Sequence, residues 1–149
     1  MLERRGNSQT RTDECPPEDR SEVKQWVLVM DDQPTIRENL AELLRNLGYN
    51  AIQSAEGGAA VAHMAGMPDV FQVMLAILDL QVSSGLGGKE TAIQLRRMNP
   101  DLNIIISTGQ PEVDSDEELD RIGIQGILFK PYDLLELQTV LDNLDEGNR

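Results

Sequence analysis

The sequence predicts an α/β fold, in which helices cover both faces of a doubly wound, five-stranded parallel sheet. Two observations lead to this prediction. After residue 24, short continuous apolar segments alternate five times with segments of helical character, and such short apolar runs are typical of strands buried on both faces. The chain has 149 residues, of which 40% are hydrophobic, and this suits one domain with a polar tail.

Each predicted strand is followed by a predicted helix. The strands are expected at residues 26–30, 50–54, 73–78, 102–107 and 126–129, and the helices at 34–47, 58–67, 89–98, 113–122 and 133–144. Pro34 suits the first turn of the first helix, and Gly48 is placed to end it. In the last helix, Leu134, Leu137, Leu141 and Leu144 form the predicted core stripe.

Composition changes sharply near residue 24. Residues 1–22 contain four arginines, six acidic residues and a Pro-Pro pair, but only one large aliphatic residue, Leu2. Such a segment cannot bury enough apolar surface to offset the entropy lost on ordering. We therefore expect a disordered polar tail at 1–24, a folded domain at 25–146 and a short C-terminal end at 147–149.

The charge and composition exclude several classes of protein. Thirteen basic and 26 acidic residues give a net charge of −13, which argues against binding a nucleic-acid backbone. No apolar run approaches the roughly 20 residues needed to span a bilayer, and the N-terminus has no hydrophobic signal segment. The single cysteine excludes an internal disulfide. We expect a cytoplasmic protein without membrane or direct nucleic-acid contact.

Polar residues lie at the carboxyl ends of four predicted strands, where ligands bind in open parallel sheets. Asp31 and Asp32 follow the first strand, Asp79 the third, Thr108 the fourth and Lys130 the fifth. Three neighbouring carboxylates would repel one another, and Mg²⁺ bound by carboxylates, water and a phosphate oxygen would relieve that repulsion. The set predicts a phosphoryl-transfer site with Asp79 as the nucleophile.

Each of these features alone has an ordinary structural explanation. Asp31 and Asp32 could cap the first helix, and Asp79 and Thr108 could be turn residues. The glycine-rich segment 84–88 lacks the Gly-Lys-Ser/Thr ending of a phosphate-binding loop, so it is expected to be a flexible segment. The combination of all five strand-end residues favours a functional site over these explanations.

Four sequence motifs resemble those of response-regulator receiver domains, and they occur in the order typical of that family. They are Val29-Met30-Asp31-Asp32-Gln33-Pro34, Leu78-Asp79-Leu80, Ser107-Thr108-Gly109 and Phe129-Lys130-Pro131-Tyr132. The resemblance covers about residues 25–146 and implies a flavodoxin-like sheet of strand order 2-1-3-4-5. The segment Gly85-Leu86-Gly87-Gly88-Lys89-Glu90 also resembles receivers attached to hybrid sensor histidine kinases.

The resemblance implies a role for each site residue. Asp79 would accept a phosphoryl group, Asp32 and Asp79 would bind Mg²⁺ directly, Asp31 would act through water, and the backbone carbonyl of Gln81 would be a further metal ligand. Thr108 would hydrogen-bond the phosphoryl group, and Lys130 would pair with it. The Lys130-Pro131 bond is expected to be cis, and Gly109 is expected to leave room for the phosphodonor.

Two positions depart from the family pattern. The proline that often follows the acceptor by four residues is replaced by Ser83, so the loop is expected to be looser. The aromatic residue three positions before the lysine is replaced by Ile127, so the usual threonine–aromatic coupling cannot operate in its ordinary form.

The expected function is a signalling switch that takes a phosphoryl group from a sensor histidine kinase or a histidine phosphotransfer domain. Only residues 145–149 follow the last predicted helix, so the output is expected to be a contact with a downstream protein or onward transfer. Leu135 and Val140 lie off the core stripe and would permit a monomer or a weak dimer. The chain would catalyse its own phosphorylation and dephosphorylation without being a turnover enzyme.

The alternatives are an adaptor that works without phosphorylation and a phosphatase, although Gln81 cannot supply the general acid that a phosphatase needs.

Overall fold

The computed structural model describes residues 25–69, 72–110 and 117–147. The predicted tail at 1–24, the first residues of the predicted fourth helix and residues 148–149 lie outside the described residues. The elements are β1 (Trp26–Met30), α1 (Pro34–Asn46), β2 (Asn50–Ser54), α2 (Gly57–Ala65), β3 (Val73–Asp79), α3 (Gly88–Met98), β4 (Asn103–Thr108), α4 (Glu117–Ile122), β5 (Gly126–Phe129) and α5 (Leu134–Gly147). None of the described helices combines the length and apolar character needed to cross a bilayer.

The five strands form one parallel sheet in the order β2-β1-β3-β4-β5. Met30 lies beside Leu78, Leu78 beside Ile106, and Ile106 beside Ile127. Because these partners are level with one another, β1, β3, β4 and β5 end at the same edge of the sheet. The predicted fold class and strand order are confirmed.

The helices bury both faces of the sheet, as the apolar strands require. On one face, alternate strand residues such as Leu78 and Ile106 pack with α2 and α3. On the other face, Ile77 and Ile105 pack with α1 and α5. Since successive strand residues point to opposite faces, the continuous apolar runs fill two separate cores.

Several helix ends differ from the prediction by one to three residues, and capping residues explain where α2 and α5 begin. The Glu56 carboxylate accepts the backbone N–H groups of Gly58 and Ala59, so α2 starts one residue earlier than expected, and it ends before Gly66. At the start of α5, Asp133 and Glu136 each accept the other's backbone N–H, which is the reciprocal arrangement of a capping box.

The predicted core stripe of α5 is confirmed for Leu137, Leu141 and Leu144, which are at most 5% exposed. The prediction is wrong for Leu134, which is 40% exposed. Helical side chains lean toward the N-terminus, so a residue in the first turn of α5 projects past the end of the sheet. Leu135 is 70% exposed, as its position off the stripe predicts, whereas Val140 is partly buried against the core.

Candidate functional site

Three aspartates meet at the carboxyl edge of the sheet, where β1 and β3 lie side by side. Asp31 and Asp32 follow β1, and Asp79 is the last residue of β3. One carboxylate oxygen from each lies within 4.8 Å of the other two. Asp31 and Asp79 are buried, and Asp32 is partly exposed. The predicted convergence of the three carboxylates is thus present.

Lys130 reaches this cluster from the end of β5. Its Nζ atom lies 3.0 Å from Oδ2 of Asp31 and 3.3 Å from Oδ2 of Asp79. The peptide bond between Lys130 and Pro131 is cis, as expected. One ammonium group therefore contacts two carboxylates, so the cluster retains an excess of negative charge.

The environment of Asp79 disfavours its charged form. Burial and then the neighbouring Asp31 carboxylate raise the pKa of Asp79 to about 6, while the ammonium group of Lys130 opposes the rise. Its Oδ1 atom accepts the backbone N–H of Gln81 at 3.3 Å. An added positive charge near Asp79 would favour the ionised carboxylate.

Asp32 is in the opposite situation, because it has strong hydrogen-bond donors and little burial. Its Oδ2 atom accepts the backbone N–H of Ser83 at 2.7 Å. This hydrogen bond, followed by one from the Ser83 side chain, lowers the pKa of Asp32. Asp32 is therefore held ionised at the partly exposed side of the cluster.

Thr108 ends β4 beside Asp79, since Ser107 pairs with Asp79 in the sheet. The Thr108 hydroxyl oxygen accepts the backbone N–H of Gln110 at 3.1 Å. The amide of Gln110 in turn donates to the side-chain oxygen of Gln81 at 3.2 Å. Among the described residues, nothing lies within 4 Å of where a Cβ atom at Gly109 would be.

Sequence reasoning missed three features around the site. The hydroxyl groups of Ser107 and Tyr132 are buried and have no hydrogen-bond partner among the described residues. Burial and the Asp31 carboxylate raise the pKa of Tyr132 to about 12. The third feature is the contact between Ser83 and Asp32 described above. Tyr132 follows Lys130-Pro131 directly in the chain. This position was the one sequence signal that could have linked Tyr132 to the site.

The glycine-rich segment, expected to be flexible, has definite contacts with α2. The backbone N–H of Gly57 donates to the carbonyl oxygen of Leu86 at 2.9 Å. The Glu56 carboxylate accepts the N–H of Leu86 at 3.4 Å. A Cβ atom at Gly85 would lie 2.5 Å from that carboxylate, and the φ angle of Gly85 is 81°, so glycine suits this turn for two reasons.

The donor set at the cluster fits a hard divalent cation. It consists of carboxylate oxygens with surplus negative charge, which is the environment that Mg²⁺ prefers together with water and phosphate oxygens. The adjoining ammonium group of Lys130 and the Thr108 hydroxyl are suited to oxygens of a transferred phosphoryl group. The arrangement is therefore capable of metal-assisted phosphoryl transfer to a carboxylate.

Comparisons with known sequences agree with this chemistry. Residues 27–142 match the model of the response regulator receiver domain. Sporulation initiation phosphotransferase F of Bacillus subtilis is 29% identical over 117 residues, which cover 78% of this chain and 90% of that protein. Sensory transduction protein RegX3 of Mycobacterium tuberculosis is 30% identical over 111 residues, covering 74% of this chain. The chain spans 46% of RegX3 and 25% of the transcriptional regulatory protein ZraR of Salmonella typhimurium.

Solved structures show the same architecture. Response regulator TrrA from Thermotoga maritima, in complex with Mg²⁺ and BeF, superposes with a TM-score of 0.69 at 29% identity, over 80% of this chain and 98% of that chain. Chemotaxis protein CheY4 of Vibrio cholerae gives a TM-score of 0.72 at 23% identity, over 80% and 98% of the two chains. Together with the family match over most of the described residues, these likenesses show that the chain belongs to the response regulator receiver domain family.

Proposed function

We propose that this receiver domain accepts a phosphoryl group on Asp79 from a phosphohistidine of a sensor histidine kinase or a histidine phosphotransfer domain. The observation that carries the proposal is the cluster of three carboxylates in which Lys130 contacts both Asp31 and Asp79. We further propose that the phosphoryl transfer takes place in the cytoplasm and that the chain is a monomer or a weak dimer.

In the transfer, a carboxylate oxygen of Asp79 attacks the phosphorus atom of the phosphohistidine. The phosphorus–nitrogen bond breaks, the imidazole leaves with the bonding electron pair, and Asp79 becomes an aspartyl phosphate. Lys130, 3.3 Å from Asp79, pairs with a phosphoryl oxygen, and the hydroxyl group of Thr108 donates a hydrogen bond to another. Both groups stabilise negative charge where it develops.

Asp32, Asp79 and the backbone carbonyl of Gln81 are the proposed direct ligands of Mg²⁺, and Asp31 acts through water. When bound, the ion supplies positive charge for the carboxylates and the incoming phosphoryl group. The pKa of Asp79, raised first by burial and then by the Asp31 carboxylate, supports this assignment, because a divalent cation beside Asp79 would favour its ionised form.

The adaptor alternative is not favoured. A chain that works without phosphorylation would need none of Asp31, Asp32, Asp79, Thr108 or Lys130, yet all five are present and the described geometry brings them to one edge. A phosphatase acting on external substrates is disfavoured because Gln81, two residues after the nucleophile, has no proton to give as a general acid. The proposed output is contact with a downstream protein or onward phosphotransfer.

Intact-mass measurement after incubation with acetyl phosphate and Mg²⁺ tests the proposal. We expect one adduct of about 80 Da, the mass of one phosphoryl group, and no adduct in Asp79→Asn. The exposed residue Asp101 lies outside the site, so Asp101→Asn is the matched control and should retain the adduct. An adduct that persists in Asp79→Asn, or none in the wild-type chain, would contradict the assignment.

A further inference from the structure

The loop between β3 and α3, residues 80–87, contacts the acidic cluster through Ser83. Its backbone N–H donates to Oδ2 of Asp32 at 2.7 Å, although the two residues are 51 positions apart in the sequence. Hydrogen bonds to an ionised carboxylate are stronger than those between neutral groups, so this contact is a substantial link between the loop and β1.

The residue type at position 83 makes the contact possible. Proline has no backbone N–H, so the hydrogen bond to Asp32 cannot form when proline occupies this position, where the resemblance described above often has one. Ser83 supplies the backbone N–H that this hydrogen bond requires.

The geometry leaves Asp32 able to bind a metal ion. A carboxylate has two oxygens with about four acceptor sites, so Asp32 can accept Ser83 at Oδ2 and still offer its other oxygen. The same loop is tied to the second carboxylate, since the N–H of Gln81 donates to Oδ1 of Asp79 at 3.3 Å. The loop thus contacts one carboxylate beyond β1 and one at the end of β3, and the backbone carbonyl of Gln81 lies in the chain between these two N–H groups.

We propose that Ser83 is a positioning residue for the metal site, which orients the Asp32 carboxylate and holds the loop that carries Gln81 against it before the ion binds. The inference rests on the proposed function, because it assigns Ser83 a role at the same site. Partners that hydrogen-bond a metal-ligating carboxylate orient it, and their loss typically weakens metal binding about 10–100-fold. Ser83 would therefore raise the Mg²⁺ affinity without touching the ion.

The first measurement needs no variant of Ser83. In the wild-type chain with a chelator present, hydrogen exchange followed by NMR should show the Ser83 amide protected, and Asp32→Ala should remove that protection. An amide at Ser83 that exchanges as freely as an unstructured one in the metal-free chain would overturn the inference.

The second measurement is the Mg²⁺ dissociation constant by calorimetry in three variants. Ser83→Pro removes the backbone N–H donor and should raise the dissociation constant about tenfold, the low end of the range for a lost outer partner. Ser83→Ala keeps the backbone N–H and should stay within a few-fold of wild type. Ser84→Pro places the same ring one residue further along the loop, and we expect near wild-type affinity. Thermal unfolding checks that each variant is folded.

The outcomes separate the inference from the function on which it rests. A Ser83→Pro chain that binds Mg²⁺ as well as wild type, or more tightly, overturns the positioning role alone, and tighter binding would show that Ser83 competes with the ion. A wild-type chain that binds no Mg²⁺ overturns both the positioning role and the metal assignment. If Ser83→Pro fails to fold, the amide exchange of the wild-type chain decides the question.

Discussion

Asp79, the proposed phosphoryl acceptor, is buried, and burial opposes the negative charge that its proposed reaction requires. It is 5% exposed, close to Asp31, and only partly compensated by Lys130. A nucleophilic carboxylate must be ionised, yet the pKa of Asp79 is raised to about 6 in the metal-free chain. The folded metal-free chain therefore carries an unfavourable charge at neutral pH, as expected of a site organised for a cation.

This raised pKa predicts a pH-dependent effect of Asp79→Asn on stability. Between pH 3.8 and about 6, Asp79 keeps its proton in the folded state but loses it in the unfolded state. The stabilising effect of the neutral carboxyl group is therefore present at low pH and lost as the pH rises through about 6. At pH 7.5 in chelator, Asp79→Asn should raise the free energy of unfolding by about 2–3 kcal/mol, since each pKa unit corresponds to 1.36 kcal/mol. Urea denaturation should show this gain shrinking by about half at pH 5. A gain independent of pH would contradict the pKa.

Asp32 is the most accessible of the proposed metal ligands, so its removal should affect metal binding rather than the fold. Calorimetry should show Mg²⁺ binding collapse in Asp32→Ala, because a direct ligand is lost. Glu38 is an exposed acidic residue on α1, and Glu38→Ala should leave the dissociation constant within a few-fold of wild type. Equal binding in Asp32→Ala and wild type would exclude Asp32 as a ligand.

The five strand-end residues could be predicted from sequence because parallel strands that pair in register end at one edge. Their positions depend only on where each strand stops. The contact of Ser83 with Asp32 could not be predicted, since it depends on the path of a loop that brings together residues 51 positions apart. The buried hydroxyl groups of Ser107 and Tyr132 were missed for the same kind of reason, because burial at a helix–sheet junction depends on packing.

At the scale of the element, α5 shows what a hydrophobic pattern predicts and where it fails. Spacing alone identified Leu137, Leu141 and Leu144 as the buried stripe, and they pack on the face of the sheet shared with α1. The same spacing included Leu134, which is exposed. Periodicity gives the direction of a side chain from the helix axis, but it does not show how far the sheet extends beneath the helix.

The stripe gives a direct stability prediction. Leu137→Ala should lower the free energy of unfolding by about 2–5 kcal/mol, as expected for a leucine fully removed from a packed core. Leu135→Ala is the matched control on the same helix, and at 70% exposure it should change stability by less than about 0.5 kcal/mol. Urea denaturation of both variants measures the difference. Comparable losses in the two variants would show that α5 packs through a different face.

At the scale of the whole molecule, strands β4 and β5 connect the site to the distal helices. Thr108 pairs with Phe129, and Ile106 pairs with Ile127, in the same ladder. Ile127 is partly buried and packs against the core that contains Leu119 of α4. Its branched side chain is restricted at χ1 in a strand, so we expect a structural response to phosphorylation to involve residues other than Ile127.

Hydrogen exchange with and without beryllofluoride, a mimic of the phosphoryl group, tests where that response occurs. A ligand shifts a conformational equilibrium only through its different contacts with the two states, and the groups placed to contact the mimic are Thr108, Lys130 and the β3–α3 loop. We therefore expect exchange to slow mainly in residues 81–89, 108–110 and 117–120, with little change at β5. The Asp79→Asn variant should show no change on adding the mimic, which controls for effects of the salt alone. Strong changes across β5 and α5, with residues 108–110 and 117–120 unaffected, would instead show that Ile127 couples the site to the last helix despite its lack of an aromatic ring.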